Sequence, residues 1–310
     1  MRSRPDPAPL APLLAATTPT VPLPVQGSGG TVWLKLDHLL PSGSTKDRMA
    51  GRIASDALAD GRLHAGTTVV EASSGSTSIA FAMVSALVGV RFVAALPEGA
   101  SSERLLLIRR YGGEVRTTPA EAGMAGAIAL TEELAAADPE VLLPRQFTNP
   151  ANARAHEERT GPELLASIGR VDGFVAAVGT GGTLMGVGRA VRAVCPGAVL
   201  ARVVVADGEL DAEQGGPSCT GIPGVVDCMS GLLDEAELGM EAPIAVTRAE
   251  AIATTRELCA LGLPVGPSTG LNVAGARALA ARLGPGSKVA TMACDRVERY
   301  FSTDLFADLG

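Results

Sequence analysis

The sequence predicts an α/β fold in which mostly parallel, buried sheets are flanked by helices and divided between two lobes that share a cleft. Three observations carry that prediction. Short β-branched runs alternate with Ala- and Leu-rich helical stretches over most of the 310 residues, the pattern of consecutive βαβ units. A chain of this length holds one large or two medium domains, each with its own core. Hydrophobic residues make up 46% and charged residues 19%, the balance of a soluble globular chain, and no apolar run approaches the roughly 18 residues of a membrane span.

The strands are read at Thr68–Glu71, Arg91–Leu96, Gly173–Val178 and Arg202–Val205, where β-branched and apolar residues cluster. Helices are expected over 47–60, 76–88, 101–112, 121–137, 152–168, 183–194, 247–261 and 268–282, several of them opening at turns rich in Gly, Ser and Thr. The segment 207–229, rich in Gly, Pro, Asp and Glu, has little regular pattern and reads as a lid or substrate loop, or else as a surface insertion. The first ten residues are expected to fray.

Charge and cysteine usage exclude several classes. The 26 basic and 33 acidic residues give a net charge of −7, which argues against a nucleic-acid or anionic-membrane partner. Cys195, Cys219, Cys228, Cys259 and Cys294 form no CxxC pair, and His38, His64 and His156 are the only histidines. No metal site is therefore expected, and reduced thiols point to the cytoplasm. Arg2 and Arg4 are followed by Pro5, Asp6, Pro7 and Pro9 instead of an apolar stretch, so no secretory signal is expected. Only Lys35, Lys46 and Lys288 are lysines. Arginine does the generic surface work, and an amine nucleophile is the one task it cannot take over.

Four turns carry the chemistry. Pro41-Ser42-Gly43-Ser44-Thr45-Lys46-Asp47-Arg48 places Lys46 at a helix start, where the dipole favours a neutral amine; the same turn also suits a plain exposed lysine. Glu71-Ala72-Ser73-Ser74-Gly75-Ser76-Thr77-Ser78 follows a strand and opens a helix. Its hydroxyls and backbone N–H groups make an anion nest fit for a carboxylate, or else an over-capped helix.

Gly179-Thr180-Gly181-Gly182-Thr183 repeats the arrangement with glycines that let a phosphate approach the backbone. It lacks the GxGxxG order of dinucleotide sites. Gly266-Pro267-Ser268-Thr269-Gly270 brings Ser268 to another helix start, as a partner for a neutral ring nitrogen or as an ordinary cap. An amine, a carboxylate nest, a phosphate nest and a ring-nitrogen partner are together what an amino acid bound to pyridoxal 5′-phosphate (PLP) requires.

Read in order, these motifs resemble the cysteine synthase (O-acetylserine sulfhydrylase) and cystathionine β-synthase family of fold type II PLP enzymes. Thr18–Leu23 is similar to the opening NTPLVRL, the Lys46 turn to PSGSVKDR, and Gln146–Asn152 to QFxNPAN, with TGPE at Thr160–Glu163. Gly179–Thr183 is similar to GTGGT, and Glu298–Thr303 to ERYLST.

The resemblance implies the two-lobed, tryptophan synthase β-like fold, with a small mobile lobe of 41–145 closing on a large lobe of 1–40 and 146–310. It implies that Lys46 is the Schiff-base lysine and catalytic base, that Gly179, Thr180, Gly181, Gly182 and Thr183 hold the phosphate, and that Ser268 faces the ring nitrogen. Ser73, Ser74, Gly75, Ser76, Thr77 and Gln146 would bind the substrate, with Gly221 beside it, and Ser76 and Cys294 would approach the cofactor. The implied activity is β-replacement on an activated L-serine through an aminoacrylate, by a homodimer. Cysteine desulfhydration, diaminopropionate-type synthesis and a regulatory scaffold that retains PLP are the alternatives.

Three departures bear on specificity. The family's SGNTG loop is here Ser74-Gly75-Ser76-Thr77-Ser78, so a serine stands where an asparagine would bridge cofactor and substrate, and a shifted or water-filled contact is expected. In place of GIGxGFIP stands Thr220-Gly221-Ile222-Pro223-Gly224-Val225-Val226. Between Arg202 and Arg248 there are nine acidic residues and no Lys or Arg, so a neutral leaving group is expected unless an arginine arrives from elsewhere. Cys294 precedes Asp295 where PDSG is more frequent, either near the ring or as a buried apolar thiol.

Overall fold

The computed structural model describes residues 8–25, 27, 29–73, 75–206, 221–226 and 229–307. In chain order its strands are β1 (Thr20–Pro24), β2 (Thr31–Lys35), β3 (Thr68–Ala72), β4 (Arg91–Pro97), β5 (Glu114–Thr118), β6 (Val141–Leu142), β7 (Gly173–Ala177), β8 (Val199–Val205), β9 (Ile244–Val246) and β10 (Lys288–Met292). The helices are α1 (Leu10–Ala15), α2 (Lys46–Ala59), α3 (Ser76–Val88), α4 (Ser102–Arg110), α5 (Gly123–Ala137), α6 (Pro150–Ala155), α7 (Gly161–Ile168), α8 (Gly182–Val194), α9 (Glu235–Leu238), α10 (Arg248–Ala260) and α11 (Pro267–Leu283).

These strands build two sheets, ordered β1-β2-β10-β7-β8-β9 and β5-β4-β3-β6. The β1–β2 pair is antiparallel; the other pairings are parallel. The second sheet draws all its strands from residues 68–142, whereas the first combines the chain's two ends. Parallel strands are connected by helices that cover both faces, which is why β3 is buried at every residue.

Each sheet has its own core. Met49, Ile53, Ile79, Phe81, Phe92 and Ile108 pack under β3 and β4, and Leu164, Phe174, Leu184, Met185 and Leu200 pack beside β7 and β8. Val32, Val175, Val203, Leu271 and Val289 fill the other side of the first sheet. Among the described residues no helix is long and apolar enough to cross a membrane.

The four strands and eight helices read from the sequence are present, with two adjustments. The helix expected over 152–168 starts at Pro150 and is interrupted by one π-helical turn, His156–Thr160, between α6 and α7. β8 begins three residues before the expected Arg202, at Val199. The strands β1, β2, β5, β6, β9 and β10 stand out less in the sequence. β1 carries two prolines, and β5 is largely exposed at a sheet edge. The five-residue run Lys288–Met292 cannot be told from a buried helix segment by periodicity.

Candidate active site

One cleft runs along the carboxyl ends of the parallel strands, the edge where α/β sheets place their ligands. Ser73 follows β3, Ala176 and Ala177 end β7, and Met292 ends β10; all four line this cleft. Four helices begin there, α2 at Lys46, α3 at Ser76, α8 at Gly182 and α11 at Pro267. First-turn N–H groups lack intrahelical partners and carry partial positive charge. The cleft is therefore built to receive anions.

Of the three lysines, Lys46 alone lines the cleft. Lys35 is buried and pairs with Glu163 at 2.8 Å, and the Lys288 ammonium donates to the Ile168 carbonyl at 3.3 Å. The helix that carries Lys46 is anchored one residue pair on, where Arg48 pairs with Asp37 at 2.8 Å and Glu163 at 2.7 Å. Burial works against the Asp37 carboxylate, yet the Arg48 guanidinium and the Thr18 hydroxyl hold its pKa below the usual value. Removing one member of such a buried group costs about 3–5 kcal/mol.

The glycine turn before α8 leaves no room for side chains. A Cβ at Gly179 would lie 2.4 Å from the Gly224 carbonyl oxygen, and one at Gly182 would lie 2.0 Å from Asn152 Oδ1. Gly181 has φ +85°, a conformation that disfavours other residues. The Asn152 amide donates to Thr180 Oγ1 at 2.8 Å, and the Ser230 hydroxyl donates to the Thr180 carbonyl at 2.8 Å. Thr183 Oγ1 lies 3.2 Å from His156 Nε2.

The turn that opens α3 comes from the opposite wall. Ser73 Oγ sits 2.6 Å from Ser78 Oγ and accepts from the Gly75 and Ser78 N–H groups, so this hydroxyl holds the turn's shape. Ser74 lies outside the described residues. Thr77 donates its hydroxyl to Gln146 Oε1 at 2.6 Å, and Gln146 Nε2 donates one hydrogen to the Ala72 carbonyl at 2.6 Å. Among the described residues the second Nε2 hydrogen meets no protein acceptor.

Ser76 donates to Asp295 Oδ2 at 2.9 Å, and the Tyr300 hydroxyl donates to the same oxygen at 2.8 Å. The Ser76 hydroxyl is thus engaged in a bond across the cleft to the other wall. Arg104 also lines the cleft, with its guanidinium 4.8 Å from the centre of the Tyr300 ring. Its chain passes so close over Gly75 that a Cβ there would meet Arg104 Cδ at 2.3 Å.

Ser268 lines the cleft beside Cys294. Asn272 Nδ2 donates to Cys294 Sγ at 3.3 Å, and burial pushes that thiol's pKa up to about 11, with the Lys46 charge opposing the shift. Gly221 lies apart from this wall. It is exposed, and its carbonyl accepts from Arg248 Nε at 3.2 Å. Pro223, Gly224, Val225 and Val226 form the cleft surface on that side.

The family model described as pyridoxal-phosphate dependent enzyme matches residues 12–295. The chain belongs to the pyridoxal-phosphate dependent enzymes. It is 36% identical over 302 residues to cysteine synthase B of Campylobacter jejuni, covering 95% of this chain and 97% of that one. The crystal structure of an O-ureido-L-serine synthase superimposes with a TM-score of 0.88 at 35% identity, covering 96% of this chain and 95% of the other. A hydrogen sulfide-producing enzyme of Fusobacterium nucleatum superimposes with a TM-score of 0.83 at 31% identity, covering 94% and 90%.

The residues of the cleft fit the PLP cofactor. One amine faces it, the Gly179–Thr183 backbone is bare enough for close approach, and Ser268 offers a neutral hydroxyl. Several residues that line the cleft of this PLP enzyme or stand behind its glycine turn were not singled out from sequence. Asn152 sits inside the quoted QFTNPAN motif, and Asp295 and Tyr300 sit in or beside the terminal ERYFST motif, so the motifs held a signal for them. Arg104 and Ser230 had none, because their partners Tyr300 and Thr180 are distant in sequence; His156 stands four residues before Thr160 of the quoted TGPE motif, and that spacing was its signal.

Proposed function

We propose that this PLP-dependent enzyme replaces the β-substituent of an activated L-serine, with O-acetylserine-like donors and sulfide or another small nucleophile, as cysteine synthases do. The observation that carries the reading is that Lys46 shares one cleft with the Gly179–Thr183 turn, the Thr77–Gln146 pair and Ser268. In this reading Lys46 Nζ holds the cofactor and, once released, takes the α-proton. Gly179, Thr180, Gly181, Gly182 and Thr183 grip the phosphate, and Ser268 meets the ring nitrogen. Thr77, Gln146 and the backbone of the Ser73–Ser76 turn hold the substrate carboxylate. When bound, the cofactor supplies a sink for the negative charge that develops at Cα.

The small lobe of 41–145 closes over the large lobe of 1–40 and 146–310, excluding water while the β-substituent leaves. The confinement of the second sheet to residues 68–142 supports that division. The enzyme works as a cytoplasmic homodimer; the family resemblance supports the dimer, and cysteines without a CxxC pair support the compartment.

A second reading is cysteine desulfhydration, favoured by the hydrogen sulfide-producing structural relative. Steady-state rates with O-acetyl-L-serine plus sulfide, set against cysteine alone, separate the two. Faster sulfide release from cysteine than cysteine formation would replace the first reading with the second. Cofactor absorbance that responds to no amino acid would point to a regulatory scaffold instead.

A further inference from the structure

Behind the glycine turn lies a buried histidine bonded on both sides. His156 Nδ1 lies 2.9 Å from Thr160 Oγ1, and its Nε2 lies 3.2 Å from Thr183 Oγ1. Thr160 is fully buried and His156 is 2% exposed. The π-helical turn His156–Thr160 brings the first pair together, and such turns recur at functional sites.

We infer that Thr160, His156 and Thr183 form a one-way hydrogen-bond relay that fixes the Thr183 hydroxyl as a proton donor into the cleft, which makes His156 a positioning residue of the phosphate turn. The direction follows from satisfying buried protons. Among the described residues, the Thr160 hydroxyl has one hydrogen-bond partner, His156 Nδ1. A buried hydroxyl proton without an acceptor is costly, so Thr160 donates to Nδ1. Nδ1 is then the lone-pair nitrogen of a neutral ring, and Nε2 carries the hydrogen.

Nε2–H in turn donates to Thr183 Oγ1, which leaves the Thr183 proton without an acceptor on this side. Thr183 lines the cleft. Its proton is directed there, toward the full set of acceptor oxygens that a phosphate ester presents. Burial, reinforced by the nearby Arg48 and Lys46 charges and opposed by Asp37 and Glu163, lowers the ring's pKa to about 3 and keeps it neutral.

The inference rests on placing the cofactor phosphate at Gly179–Thr183, and the experiment separates the two claims. Long-range 1H–15N correlation of histidine-labelled holoenzyme reads the tautomer directly in the unaltered protein once the ring is assigned. The His156 resonances are identified as the set that Thr160→Val shifts. The expected result is the neutral Nε2–H form, unchanged across the neutral pH range. A neutral Nδ1–H form or a charged ring would overturn the relay.

In Thr160→Val the 31P resonance of the bound phosphate is expected to move and PLP affinity to fall about ten-fold, the loss of one hydrogen bond to a charged group. Thr160→Ser should restore both. An Nε2–H ring combined with an unmoved 31P signal would sustain the relay and remove the phosphate from this turn.

Discussion

Ser76 and Asp295 face each other across the cleft, the serine hydroxyl donating to Asp295 Oδ2 at 2.9 Å. Ser76 is the first residue of α3, which follows β3 of one sheet, and Asp295 follows β10 of the other. One bond therefore ties the turn that opens α3 to the opposite wall, and the Tyr300 hydroxyl on the same oxygen completes the tie. Ser76→Ala is expected to destabilise the holoenzyme by about 1 kcal/mol, a drop of a few degrees in Tm measured by thermal melting. Ser76→Asn should change the relative kcat/KM of competing donors, and an unaltered donor profile would deny this position a part in specificity.

Lys46 is the only lysine of the cleft, so no neighbour can substitute for it. Lys46→Ala should remove the visible absorbance of lysine-bound PLP and the activity together. A yellow protein that survives this substitution would place the cofactor elsewhere.

The glycine turn tolerates no methyl group. In Gly179→Ala the new Cβ would meet the Gly224 carbonyl oxygen at 2.4 Å, a backbone atom with no rotamer to escape into. Overpacking of this kind costs about 1–3 kcal/mol. PLP content after purification should fall along with Tm, both readable from absorbance and calorimetry.

Glu71 gives a pH signature. Burial raises its carboxyl to about 8, well above the usual carboxylate range, although the Gln146 and Ala72 N–H groups pull the other way. Below the usual range both folded and unfolded chains hold the proton, and between that range and the raised value only the folded chain does. Raising the pH through that window therefore favours unfolding, and stability falls. Urea melts of the native enzyme and Glu71→Gln at a series of pH values should show the native enzyme losing stability relative to the variant as pH rises toward 8. A constant difference would mean that the folded chain does not hold that proton.

Arg104 supplies the cleft cation that the stretch between Arg202 and Arg248 lacks. The sequence suggested a neutral leaving group unless an arginine arrived from elsewhere, and α4 brings one. Arg104→Met should lower the kcat/KM ratio of O-phospho-L-serine to O-acetyl-L-serine about ten-fold, the scale of one lost charge-assisted contact. Equal losses for the two donors would assign Arg104 to packing against Tyr300 and Gly75.

Much of this molecule is legible before folding is considered. β3, β4 and β7 announce themselves because central parallel strands must be apolar on both faces, and α3 spans 76–88 as its capping turn and length predict. Edge strands such as β5 and β9 are short or exposed, so little burial marks them. Gly221 was tied to the substrate by resemblance, yet its exposed position beside Arg248 leaves the cleft wall to Pro223–Val226.

By itself the sequence determined the chemistry that depends on local backbone and residue type: a scarce lysine at a helix start, a turn of glycines, and hydroxyl-rich caps. Only the tertiary structure decided which groups meet. Ser76 and Asp295 are 219 positions apart, and Arg104 of α4 lies over the ring of Tyr300 near the other end of the chain. Such pairs leave no periodic trace in the chain, because they depend on two sheets presenting the ends of their strands to one cleft.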